Sequence, residues 1–114
     1  MTVAQLRAAM AQFVAEREWD KFHSPKNLSM GLAVEAAELM EHFLWIDNAE
    51  SRTVSQEPVR QQEVADEMAD VACYLLALAN TLQIDLSDSI ANKLMKNARK
   101  YPIEQYRGRF KPED

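Results

Sequence analysis

Glycine occurs twice in the 114 residues, proline four times, histidine twice and cysteine once, and each scarcity removes a class of protein. Two isolated glycines cannot build a glycine-rich phosphate loop, so P-loop and Rossmann designs are excluded. No stretch carries the turn chemistry of a β-hairpin. A lone Cys73 rules out an intrachain disulfide, and its place in an apolar helical run reads as a buried structural thiol in a reducing cytosol. One cysteine and two distant histidines serve zinc poorly. Basic charge is also short, with 13 Lys and Arg against 18 Asp and Glu for a net charge of −5. That leaves no broad basic surface for a nucleic acid polymer. The longest strongly apolar stretch, Val71 to Ala79, is too short to span a bilayer, and the N-terminus lacks the apolar segment of a signal peptide. A soluble cytoplasmic protein without a membrane partner is expected.

What the chain does contain favours helix. Hydrophobic residues make up 47% of it, enough for one small domain whose surface is large relative to its core, so oligomerisation would help it. Val3, Leu6, Met10, Phe13 and Val14 recur at helical spacing over about Thr2 to Trp19. Ser24 can cap a second helix with Pro25 in its first turn, running to about Ile46. Residues 47–54 are polar and without period, and read as a loop. A third helix is expected from about Ser55 to Leu82, and a fourth opens at Asp85 to Asp88 and stops near Tyr101, before Pro102. The expectation is an all-α four-helix bundle in one domain, residues 1–102, with a short irregular polar tail over 103–114.

Two acidic pairs stand out, Glu35 with Glu38 and Glu67 with Asp70. Each pair is spaced i, i+3, so on a helix both carboxylates leave one face about one turn apart. Leu32, Leu39, Phe43 and Ile46 lie beside the first pair on the helical wheel, and Val64, Val71 and Leu78 beside the second. Carboxylates gathered in partly dry surroundings must be protonated, paired or bound to metal. His42 shares the face of the first pair, and Glu63 and Tyr74 that of the second. No Glu-x-x-His motif supports a ferritin-like di-iron site, and oxygen donors select Mg2+, with Mn2+ as its substitute. The competing reading is two amphipathic helices with solvated polar faces.

The expected fourth helix carries Lys93, Lys96, Asn97 and Lys100 on one face. That face is either ordinary solvated charge or, beside a carboxylate-held metal, a clamp for phosphates. Trp19, His23 and Trp45 stand at helix ends, where packing or capping is the plain reading and the sandwiching of a free base the functional one.

Taken in order, Trp19-Asp-Lys-Phe-His23-Ser-Pro-Lys-Asn27-Leu, Glu35-Ala-Ala-Glu38-Leu, Phe43-Leu-Trp45, Asp66-Glu67-Met-Ala-Asp70-Val-Ala-Cys-Tyr74-Leu and Lys93-Leu-Met-Lys-Asn97-Ala-Arg-Lys100-Tyr101-Pro102 closely resemble the MazG-like all-α nucleotide pyrophosphohydrolases. The resemblance is greatest to the dCTP pyrophosphatase branch and covers about residues 5–102. It implies a helical bundle assembled as a homodimer or homotetramer. It also implies Mg2+-dependent cleavage of a nucleoside triphosphate to monophosphate and pyrophosphate. Glu35, Glu38, Glu67 and Asp70 would be metal ligands. Hydrolysis also needs a carboxylate that orients or deprotonates the attacking water, and Glu38 is assigned that role. Trp19, Trp45 and Tyr74 would contact the nucleoside and Lys93, Asn97 and Lys100 face the phosphates, and His23 is counted with them as substrate-binding. Met10 stands where vertebrate members of that branch place a nucleotide-contacting histidine. Phosphoribosyl-ATP as substrate, and a non-enzymatic helical interaction module, are the alternatives.

Overall fold

The computed structural model describes residues 1–110, which fall into two compact units, the first spanning residues 1–83 and the second beginning at Ile84. Every regular element among the described residues is helical. Among the described residues six α-helices are present rather than four: α1 (Val3–Glu16), α2 (Pro25–Glu41), α3 (Asn48–Ser51), α4 (Pro58–Leu82), α5 (Leu86–Lys100) and α6 (Ile103–Tyr106). The four long ones match the expected helices, and the two extra are single turns. Asp47 caps α3 by accepting from the Glu50 amide at 2.8 Å, so a polar stretch read as loop still closes one turn. Pro102 precedes α6 in the expected tail, residues 107–110 lack regular structure, and 111–114 lie outside the described residues.

Local chemistry explains most of the boundaries. Thr2 and Gln5 form a reciprocal capping box at the start of α1. Ser24 accepts from the Asn27 amide at 3.1 Å, and Pro25 opens α2. The first helix stops at Glu16 rather than Trp19, because Glu18 takes a left-handed conformation, φ 53°, and restarts the chain as a 3-10 turn over Trp19–Phe22. The second stops at Glu41 rather than Ile46. Beyond it the amides of Phe43, Leu44 and Ile46 donate three residues back, to Met40, Glu41 and Phe43, which tightens the chain out of α geometry. α4 ends where Gln83 turns left-handed, φ 56°.

In the first unit α4 is the central element, packed most extensively against α2 and also against α1. Its core is small: Val14 of α1, Leu28 of α2, Val54 from the 3-10 turn Val54–Gln56, and Leu76, Ala77 and Ala79 of α4. A two-way lock joins α1 to α4. Arg7 Nε donates to Asn80 Oδ1, and Asn80 Nδ2 donates to the Arg7 carbonyl, both at 3.0 Å. Leu32, Leu39, Phe43 and Ile46, and Val64, Val71 and Leu78, are half-buried, which puts the acids beside them at the edge of the α2/α4 seam. The second unit, described by itself, is the amphipathic α5, capped by Asp85, followed by α6.

Candidate active site

The seam brings Glu35, Glu38 and Glu67 together. One carboxylate oxygen from each lies within 4.8 Å of the others, and all three residues are half-buried. Glu35 Oε2 and Glu67 Oε2 are shut off from solvent and receive no hydrogen bond. Carboxylate oxygens only accept, so such a group is satisfied by a bridging proton or a cation. The Glu35 carboxyl is accordingly raised from 4.5 to about 7, first by burial, then by hydrogen bonding to Glu38 and its charge, then by Glu67 and the charge of Asp70. The donor set is all oxygen, which fits a hard divalent cation and not a thiolate- or imidazole-seeking one. The orphaned oxygens make the residues fit such an ion.

Asp70 stands one turn along α4 from Glu67. It is exposed and outside the group of three, yet its charge reaches Glu35. It also lines a cavity of about 120 Å3 with Met10, Trp19, His23, Cys73, Tyr74 and Ala77. Trp19 is placed there by the 3-10 turn. Its ring meets Phe13 edge-on at 5.7 Å and lies 6.3 Å from the His23 ring, while Arg17 covers the Phe13 ring at 3.6 Å. Asn27 Nδ2 donates to the Phe22 carbonyl at 3.1 Å, tying that turn to the start of α2. Three expected substrate-binding residues, Trp19, His23 and Tyr74, thus share one cavity whose wall includes an acid of the expected metal set.

Other residues fall elsewhere. Trp45 is 89% exposed in the turns after α2 and does not line the cavity. His42 ends α2 as its cap, its carbonyl accepting from Arg60 at 3.3 Å, and Glu63 is exposed beside Arg60 and Glu57. Neither belongs to the carboxylate group. Lys93 and Lys100 are exposed and Asn97 half-buried on α5, in the second unit; the carboxylates and the cavity are built from residues 1–83 alone. Cys73 corrects the sequence reading, since it is exposed and lines the cavity rather than sitting in the core. Partial burial of its thiol, with the charge of Asp70, pushes its pKa up, so it holds little thiolate. Its helical position next to Tyr74 was the available signal, hidden by its apolar neighbours.

A helical protein with three carboxylates converging on the α2/α4 seam and, one turn along α4, a cavity walled by aromatic side chains is the class this geometry defines. The MazG-like family matches residues 31–111, and the chain belongs to that family. Among solved structures it is similar to a pyrophosphatase from Archaeoglobus fulgidus, with 37% identity, a TM-score of 0.79 and coverage of 87% of this chain and 91% of that one. It is also similar to dCTP pyrophosphatase 1 of Rattus norvegicus, 36% identical over 107 residues, covering 94% of this chain and 63% of that protein. The Homo sapiens protein of the same name is 37% identical over 101 residues, 89% of this chain and 59% of its own length. The chain therefore spans less than two thirds of the length of these curated relatives. No helix among the described residues is long and apolar enough to cross a membrane.

Proposed function

We propose that the protein hydrolyses a nucleoside triphosphate to the monophosphate and pyrophosphate in a Mg2+-dependent reaction, with dCTP or a related pyrimidine deoxynucleotide favoured, as housecleaning of the cytoplasmic nucleotide pool. The observation that carries this is the three-carboxylate group, two of its oxygens orphaned, with Asp70 linking it to an aromatic-lined cavity. The names of its relatives, pyrophosphatase and dCTP pyrophosphatase 1, support the reaction and the nucleotide.

Glu35, Glu38, Glu67 and Asp70 are assigned to hold Mg2+, or Mn2+ in its place. The ion would neutralise phosphate oxygens so that water can approach an already anionic phosphorus. Glu38 is assigned to orient that water and take its proton. Trp19, His23 and Tyr74 would hold the base and sugar, with aromatic stacking giving affinity and the polar edges of the pocket giving choice. Trp45 is assigned to the same task from outside the cavity. Lys93, Asn97 and Lys100 are assigned to the phosphates on charge and helical spacing, whichever copy of the chain supplies them.

The assembly we favour is a homodimer or homotetramer of a helical bundle. Val34, Met40, Leu44, Trp45, Met68 and Val59 are each more than half exposed, an unusual load for a chain of this size. The test of the function is a panel of the eight common ribo- and deoxynucleoside triphosphates with Mg2+, with kcat/KM measured for each. dCTP is expected to rank first and to lose rate in Trp45→Ala. A best purine substrate contradicts the base assignment, and no monophosphate from any nucleotide contradicts the reaction.

A further inference from the structure

Glycine inside a helix is among the least favourable of residues, and Gly31 sits in the middle of α2. Its reason is on the neighbouring helix. A Cβ built at Gly31 would lie 2.8 Å from Tyr74 Cζ and 2.9 Å from Cδ1, with Cε1 closer still. The Tyr74 ring therefore seats directly on the backbone of α2, in space that any other residue would fill.

That contact is one step of a regular seam. Moving along α2 from Gly31 to Glu35 and Glu38, the partners on α4 run backwards: the Tyr74 ring, then Glu67, which meets both Glu35 and Glu38, while Asp70 between them reaches Glu35 by its charge. The helices are antiparallel here, and Gly31 and Tyr74 lie one turn before Glu35 and one turn after Asp70. A side chain at this step must displace the Tyr74 ring or push the helices apart, and either change is carried one turn on, to where the acids of α2 and α4 meet.

We infer that Gly31 is a positioning residue. By lacking a side chain it sets both the seat of Tyr74 in the cavity wall and the helix spacing at which the α2 and α4 carboxylates share one cation. The consequence for turnover rests on the proposed reaction; the consequence for metal binding rests on the carboxylate group alone.

The test compares wild type, Gly31→Ala, Tyr74→Ala and Gly31→Ala/Tyr74→Ala by Mn2+ binding without nucleotide, by near-ultraviolet circular dichroism, and by kcat and KM for dCTP. Gly31→Ala is expected to lose about tenfold or more in Mn2+ affinity, the scale on which supporting residues act on a metal site, and to change its tyrosine dichroism. The double variant is expected to recover Mn2+ affinity to within about threefold of wild type, because the clash is gone, while keeping the raised KM of Tyr74→Ala. Should Gly31→Ala not fold, recovery of a folded, Mn2+-binding double variant supports the inference equally. Wild-type Mn2+ affinity in a folded Gly31→Ala, a double variant no better than the single one, or a wild type that does not bind Mn2+ overturns it. A wild type that binds Mn2+ but cleaves no nucleotide defeats the proposed function alone, and the affinity comparison still decides the role of Gly31.

Discussion

Lowering the pH from 8 to 6 is expected to weaken divalent-cation binding about tenfold through one residue, Glu35. Its carboxyl is held up to about 7 by burial and by Glu38, Glu67 and Asp70. At that value about nine molecules in ten carry the proton at pH 6 and about one in ten at pH 8, and the cation must displace it. Apparent affinity then rises with pH up to about 7 and flattens above. Proton release should be close to one per ion at pH 6, about half at pH 7 and small at pH 8. The assay is isothermal titration with Mn2+ in two buffers of different ionisation enthalpy, which counts the protons directly. Glu35→Gln is expected to bind weakly with the slope abolished. The same shift adds a pH dependence to the stability of the metal-free protein. Between 4.5 and about 7 the folded chain keeps a proton that the unfolded chain has released, so stability falls as pH rises through that window and levels off above it. Affinity that does not change between pH 6 and 8, or heats that do not depend on the buffer, refute the reasoning.

Asn80→Ala removes both halves of the lock to Arg7 and should cost about 2–4 kcal/mol, one bond being to a charged group; urea unfolding measures it, and a loss under about 1 kcal/mol contradicts the lock. Leu28→Ala empties the most buried side chain of the first unit, 1% exposed, and is expected to cost about 2–5 kcal/mol by the same method. Asp70→Asn should abolish turnover while the helical circular dichroism stays intact, and near-wild-type rates would remove Asp70 from the site. Sedimentation at micromolar concentration should give a dimer or tetramer, and a compact monomer contradicts the assembly.

The long helices were legible because their signals are local: Ser24 with Pro25, the Thr2 box, Asp85, and apolar residues at helical spacing. The convergence of Glu35, Glu38 and Glu67 was legible for the same reason, since i, i+3 acids beside apolar neighbours must share a seam once two helices pack. What the sequence hid depends on tertiary context. The left-handed Glu18 and the tightened turns after Glu41 have no residue signature, so Trp19 and Trp45 were placed on helices they do not occupy. Asp70, spaced like its neighbour on α4, stays exposed and outside the group of three. Gly31 falls inside the expected second helix, but nothing local explains it there, and its partner Tyr74 becomes the explanation only when the two helices meet.

That these carboxylates serve cleavage between the α- and β-phosphates of a nucleotide is tested most directly by 31P NMR of dCTP incubated with the protein and Mg2+, alongside Glu38→Gln. dCMP and pyrophosphate in equal amounts are expected from the wild type and neither from the variant. dCDP with inorganic phosphate, or equal turnover by Glu38→Gln, would contradict it.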